Sequence, residues 1–157
     1  MTKKTFFNKV VNTKEDVLET FFRILEKLKI KYCVIGGLAV NAYAEPVVSL
    51  DLDVVVAFAN KDKILDAVKD RFSVEEFEHS INLTSKRSDV RIQIQTDPRY
   101  QEFIKRASLK QVLGYKMNVA MVEDVLRGKI WDYLDETRKE QKAERPRRYF
   151  STCGGVS

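Results

Sequence analysis

The chain is poor in the residues that carry much of enzyme chemistry. Its 157 residues include one histidine, His79, and two cysteines, Cys33 and Cys153. A single histidine argues against a histidine-rich metal centre or a serine–histidine relay. His79 lies in a charged stretch and is expected at the surface. The two cysteines stand far apart with no metal-ligand spacing, a pattern that fits a reducing cytoplasm. No apolar run approaches the ~20 residues of a membrane helix. The opening MTKKTFFNKVVN lacks the apolar stretch and small-residue cleavage site of a secretory signal. These absences predict a cytoplasmic protein with no membrane partner.

What is present reads as one ordinary globular domain. Hydrophobic residues make up 44% and charged residues 32%, within the usual range. The formal charge of +5 biases the chain mildly toward anionic partners such as nucleotides or RNA. Much of the excess sits near the C-terminus, at Arg138, Lys139, Lys142, Arg145, Arg147 and Arg148. Such a run is most simply a solvated face or tail. The segment RPRRYFSTCGGVS has no periodicity, so residues 1–145 are expected to form the domain and 146–157 a disordered tail.

Apolar spacing predicts a helix over 14–29, behind a capping-box-like Thr13-Lys14-Glu15-Asp16. A short β-rich run, KYCVI at 31–35, stops at Gly36-Gly37, and LAVNAY opens a second helix broken by Pro46. Residues 52–58 form a strand whose unbroken Val54-Val55-Val56 suggests cover on both faces. A helix is expected at 61–71, a weak strand at 82–84 and an alternating strand, VRIQIQT, at 90–96. Further helices are expected at 100–110 and 122–143, with 115–119 as a connector. The last helix carries Val125, Leu126, Ile130, Trp131 and Leu134 as its apolar stripe. The order predicts an α/β (α+β) fold, a small mixed sheet flanked by helices with a C-terminal helical segment.

The chemistry concentrates in VIGGLAVNAYAEPVVSLDLDVVVAF, residues 34–58. Residues two apart on a strand point the same way, so Asp51 and Asp53 share a face. Paired carboxylates repel unless a cation lies between them. Glycines without Cβ let backbone approach phosphate closely, and a helix N-terminus adds N–H donors. Strand, Gly-Gly, short helix and Ser49-Leu50-Asp51-Leu52-Asp53 together resemble the polymerase-β-like nucleotidyltransferase superfamily, in particular its minimal and abortive-infection, toxin–antitoxin-like members. The resemblance spans about 17–138 and extends to Glu123-Asp124-Val125-Leu126-Arg127-Gly128-Lys129-Ile130, similar to the family's C-terminal helix.

That resemblance implies Mg²⁺, as one ion or two, on Asp51 and Asp53, and an NTP as substrate. Gly36 and Gly37 would cradle its phosphates. Ser49 would either bond a phosphate or cap the turn; Lys129 would either meet the triphosphate or solvate its helix. Tyr43 is a base-stacking candidate, with core packing the simpler role. The family's third acid has no counterpart on VRIQIQT, whose polar face carries Arg91, Gln93 and Gln95. Gln93 is the candidate for that position, although an amide is neither charged nor a base. Asp89 and Asp97 flank the strand and would substitute only if its register brought one inward. Val47 stands where many toxin-type relatives have arginine.

Two functions follow: transfer of an NMP to a hydroxyl of a protein, RNA or small molecule, or nucleotide, RNA or partner binding on a degenerate transferase fold. A plain basic RNA-binding protein is a third, weakened by the lack of an exposed aromatic platform. A dinucleotide-binding reading of Gly-Gly fails because G-x-G-x-x-G is absent.

Overall fold

The computed structural model describes residues 3–4, 16–44 and 51–144, with side chains through 139. Ser49, Val47, Thr13, Cys153 and the expected tail at 146–157 lie outside the described residues.

Helix α1, Val17–Lys27, buries Val17, Leu18, Phe21 and Leu25 at helical spacing. Asp16 begins it, accepting a hydrogen bond from the Glu19 N–H at 3.1 Å. Asp16 is thus the N-cap itself, not the third helical residue that the capping-box reading made it. Strand β1, Tyr32–Ile35, leads directly into α2, Gly36–Val40. The second helix therefore starts on the glycines, two residues before the expected opening. Strand β2, Asp51–Val56, already includes both aspartates. Helix α3 spans Lys61–Val68, followed by β3, Ser73–Glu76, β4, Ser80–Ser85, and β5, Ser88–Gln95.

Strand β3 is not among the expected elements, and beyond β5 the order departs again. The helix expected at 100–110 is a single 3₁₀ turn plus α4, Gln101–Arg106, and the chain then turns into β6, Ser108–Val112. The supposed connector is β7, Tyr115–Val119. Helix α5 closes the described chain at Val122–Glu144.

The seven strands form one sheet in the order β3-β4-β5-β2-β1-β7-β6. Pairing is antiparallel except for β1–β7 and β2–β5, so the sheet is mixed, as expected. Val90, Ile92 and Ile94 of β5 are buried while Arg91 and Gln93 are exposed, the alternation of a strand with one face on the core. Cys33 is a buried free thiol, pushed up to about 12 chiefly by burial.

Helix α5 is pinned by an aromatic trio. Tyr100, Phe103 and Trp131 meet at centroid distances of 5.3–5.6 Å. Its first turn is held by Asp124, fully buried, which accepts from Arg106 Nε at 2.7 Å and Nη2 at 3.0 Å and also pairs with Arg127. Breaking a fully buried ion pair costs about 3–5 kcal/mol, but both guanidinium groups here reach solvent. Asp124→Asn is therefore expected to cost about 2 kcal/mol, measured as a lower urea midpoint at unchanged slope. Among the described residues no helix is long and apolar enough to cross a membrane.

Candidate active site

Strand register draws distant residues into one transverse row. Asp53 lies opposite Ile35 on β1 and Gln93 on β5. Gln93 lies opposite Asn82 on β4, and Asn82 opposite Glu75 on β3. Directly opposed residues share a face, so Asp53, Gln93, Asn82 and Glu75 form a polar line across four strands. One step along the strands, Asp51 lies opposite Arg91. Asp51, Asp53, Gln93, Asn82 and Glu75 all line a cavity of about 640 Å³, large enough for a small organic ligand. A second cavity, of about 560 Å³, shares Ser73 and Thr84 with it and carries Arg71, Lys86 and Arg87.

Gly36 closes the other side of Asp53. Its φ is +72°, and a Cβ placed on it would lie 2.3 Å from Asp53 Oδ2. Bare backbone is therefore required at the carboxylate. The one-and-a-half-turn α2 offers little helix dipole, so the glycine's use here is close approach, not charge.

Asp53 is pushed up to about 6, first by burial, then by the charges of Asp51 and Asp132, with Lys129 opposing. A carboxylate so disfavoured as an anion is one that a cation would stabilise. Asp51 differs. Its Oδ1 accepts from Arg91 Nε at 2.8 Å, with both side chains about half exposed. Exposed pairs of this kind are worth about 0–1 kcal/mol, so the arginine is a weak competitor for a divalent ion.

Among the described residues no group of three His, Cys, Asp or Glu side chains could hold a metal. The donors around Asp53 are its own carboxylate, that of Asp51 one step along β2, and the Gln93 amide. Mg²⁺ suits them: that ion takes one or two protein carboxylates and completes its shell with water and phosphate oxygens. Neither flanking acid fills the third position. Asp89 lies beyond Arg91 along β5 and is exposed. Asp97 accepts from the Arg99 N–H at 2.9 Å and pairs with the Arg99 side chain.

Lys129 and Asp132, one turn apart on α5, both act electrostatically on Asp53. Asp132 is itself raised, mainly by burial, and accepts from the Tyr100 hydroxyl at 3.2 Å. Sequence reading passed over it as one acid among many on a charged helix; its i+3 spacing from Lys129 was the available signal. Tyr43 donates its hydroxyl to the Ala120 carbonyl at 2.7 Å, with Lys110 over its ring. That anchors it between α2 and the end of β7.

No family model matches the chain, and no curated protein matches it in sequence. Solved structures do match its fold. The lincosamide antibiotic adenylyltransferase LnuA, bound to lincomycin, aligns at a TM-score of 0.57 with 15% identity, covering 73% of this chain and 85% of that one. A nucleotidyltransferase candidate of Thermotoga maritima aligns at 0.60 with 16% identity, covering 82% and 92%. The antibiotic-resistance factor ANT(2'')-Ia, in complex with adenylyl-2''-tobramycin, aligns at 0.56 with 12% identity, covering 87% and 83%. The chain has the polymerase-β-like nucleotidyltransferase fold.

Proposed function

We propose that this chain is a Mg²⁺-dependent nucleotidyltransferase that moves an NMP from an NTP to a hydroxyl of a protein, RNA or small molecule, as one catalytic domain. The observation that carries the reading is Asp53: a shielded carboxylate, raised to about 6, facing bare backbone at Gly36 and sharing its row with Gln93.

Asp51 and Asp53 would hold the metal, which when bound neutralises charge on the reacting phosphate. Gly36 makes room for the Asp53 carboxylate itself, the triphosphate would lie beside it along Gly37, and Lys129 on α5 adds positive charge there. The acceptor occupies the cavity on the β5–β4–β3 side. Its hydroxyl oxygen bonds to the α-phosphorus, and the bond to the bridging oxygen breaks, so that pyrophosphate departs with the electron pair. Gln93 orients the hydroxyl by hydrogen bonding but accepts no proton. The proton therefore leaves to solvent across the open cavity.

The test is incubation with α-labelled NTPs, Mg²⁺ and each acceptor class, comparing wild type with Asp51→Asn/Asp53→Asn. Label transfer that survives the double substitution removes this mechanism. Gln93→Asp is expected to tighten Mg²⁺ binding about tenfold and to raise transfer at neutral pH, because it supplies both a ligand and a base. Calorimetric titration with Mg²⁺ checks the first effect, and the pH–rate profile the second.

A second reading is favoured by one contact. Arg91 already engages Asp51 at 2.8 Å, and with glutamine in the third position the fold would bind nucleotide without turnover. NTP binding by calorimetry, with no label transfer to any acceptor, distinguishes it.

A further inference from the structure

Helix α5 has two apolar faces, and the fold uses one. Asp124, Val125 and Gly128 are buried, and Trp131 packs in the aromatic trio. On the opposite side Leu126, Ile130 and Tyr133 are 56%, 58% and 69% exposed, flanked by Val122 at 37% and Leu134 at 44%. Of the apolar stripe read from the sequence, Leu126, Ile130 and Leu134 are therefore turned outward. Leu126, Ile130, Tyr133 and Thr137 follow a 4-3-4 spacing, the a/d seam of a coiled coil.

We propose that this seam pairs with the same seam of a second copy, the two α5 helices running antiparallel about a two-fold axis. The charges flanking the seam choose both the occupant and the direction. Lys129 and Glu136 are seven residues apart and take the same flanking position. Neither makes an ion pair within the chain among the described residues. In an antiparallel pair, equivalent flanks face each other. With Ile130 layered on Tyr133 of the second copy and Leu126 on Thr137, Lys129 meets Glu136 of the second copy, and symmetry repeats the contact. In a parallel pair the same lysine would face Leu134, and no opposite charges would meet. The seam is thus complementary to itself in one orientation only.

Isolated helices of three or four turns are marginal in water. Here α5 is already formed and pinned by Asp124 and the aromatic trio, so little ordering remains to oppose association. The association shares Lys129 with the proposed triphosphate contact, but its test reads oligomeric state and stands or falls without nucleotidyl transfer.

The experiment is light scattering on the full chain across a concentration series reaching about 100 µM, a range that detects micromolar dissociation constants. Wild type is expected to be dimeric at the upper end. Ile130→Glu is expected to be monomeric throughout, and Glu136→Lys to weaken the dimer about tenfold by placing lysine against lysine. Circular dichroism confirms that each variant is folded, as expected for exposed positions. A monomeric wild type over the whole series overturns the proposal, and so does a dimer indifferent to Ile130→Glu. Orientation is read by oxidation in a Cys153→Ser background. Mixing Ile130→Cys with Tyr133→Cys chains should give cross-linked heterodimers in excess of either self-pair. A predominance of self-pairs overturns the antiparallel arrangement.

Discussion

Asp53→Asn is expected to yield a protein that no longer transfers nucleotide yet is more stable than wild type when magnesium is withheld. An aspartate in the unfolded chain titrates near its ordinary value of 3.8, whereas in the folded chain this one titrates near 6. Between those values the folded state binds a proton that the unfolded state has released. Stability therefore falls as pH rises across the window, by about 3 kcal/mol at most. Asparagine keeps the shape and removes the charge. In chelator, urea unfolding at pH 7.5 should show the variant ahead by up to about that amount, the gap closing by pH 4. Addition of Mg²⁺ should stabilise wild type alone. Transfer should drop by at least about a hundredfold, the scale of losing one electrostatic contact to the reacting group. A variant no more stable than wild type would show that Asp53 is not held against its charge.

Gly36→Ala tests the other wall. Two penalties coincide at this residue. A side chain at φ +72° is strained, and the new Cβ would fall 2.3 Å from Asp53 Oδ2, inside any tolerable contact. The backbone strain alone is about 1–2 kcal/mol, and the displaced carboxylate should bring the total to about 3 kcal/mol or more. Combining it with Asp53→Ala should recover part of that loss, because Oδ2 is gone. The coupling in the cycle should reach about 1–3 kcal/mol. Activity should be absent in all three variants. Additive losses in stability would mean that the glycine and the aspartate do not touch.

What could be read from the chain was governed by periodicity within one element. The parity of Asp51 and Asp53, the alternation of Val90, Ile92 and Ile94, and the glycine pair after β1 each declared themselves locally. Edge strands did not. Ser73–Glu76 is exposed throughout, and Ser108–Val112 buries only Val112. Neither offers alternation, and both are strands because a neighbour supplies hydrogen bonds to their backbone. On α5 the sequence held two overlapping apolar patterns, and nothing local says which of them meets the sheet. At the site, the grip of Arg91 on Asp51 and the field of Asp132 at Asp53 depend on register between segments far apart in the chain. Sequence spacing alone does not carry that information.

The transverse row also bears on how the protein acquires its site. Its members come from positions 35, 53, 75, 82 and 93, and the parallel pairing of β2 with β5 joins residues forty apart. Contacts of such long range pay their loop-closure entropy before they return any stabilisation, and they tend to form late. During refolding, metal and nucleotide affinity should therefore appear with the last kinetic phase, after most helical signal has recovered. A chain interrupted before β5 has emerged would hold both aspartates and still bind nothing.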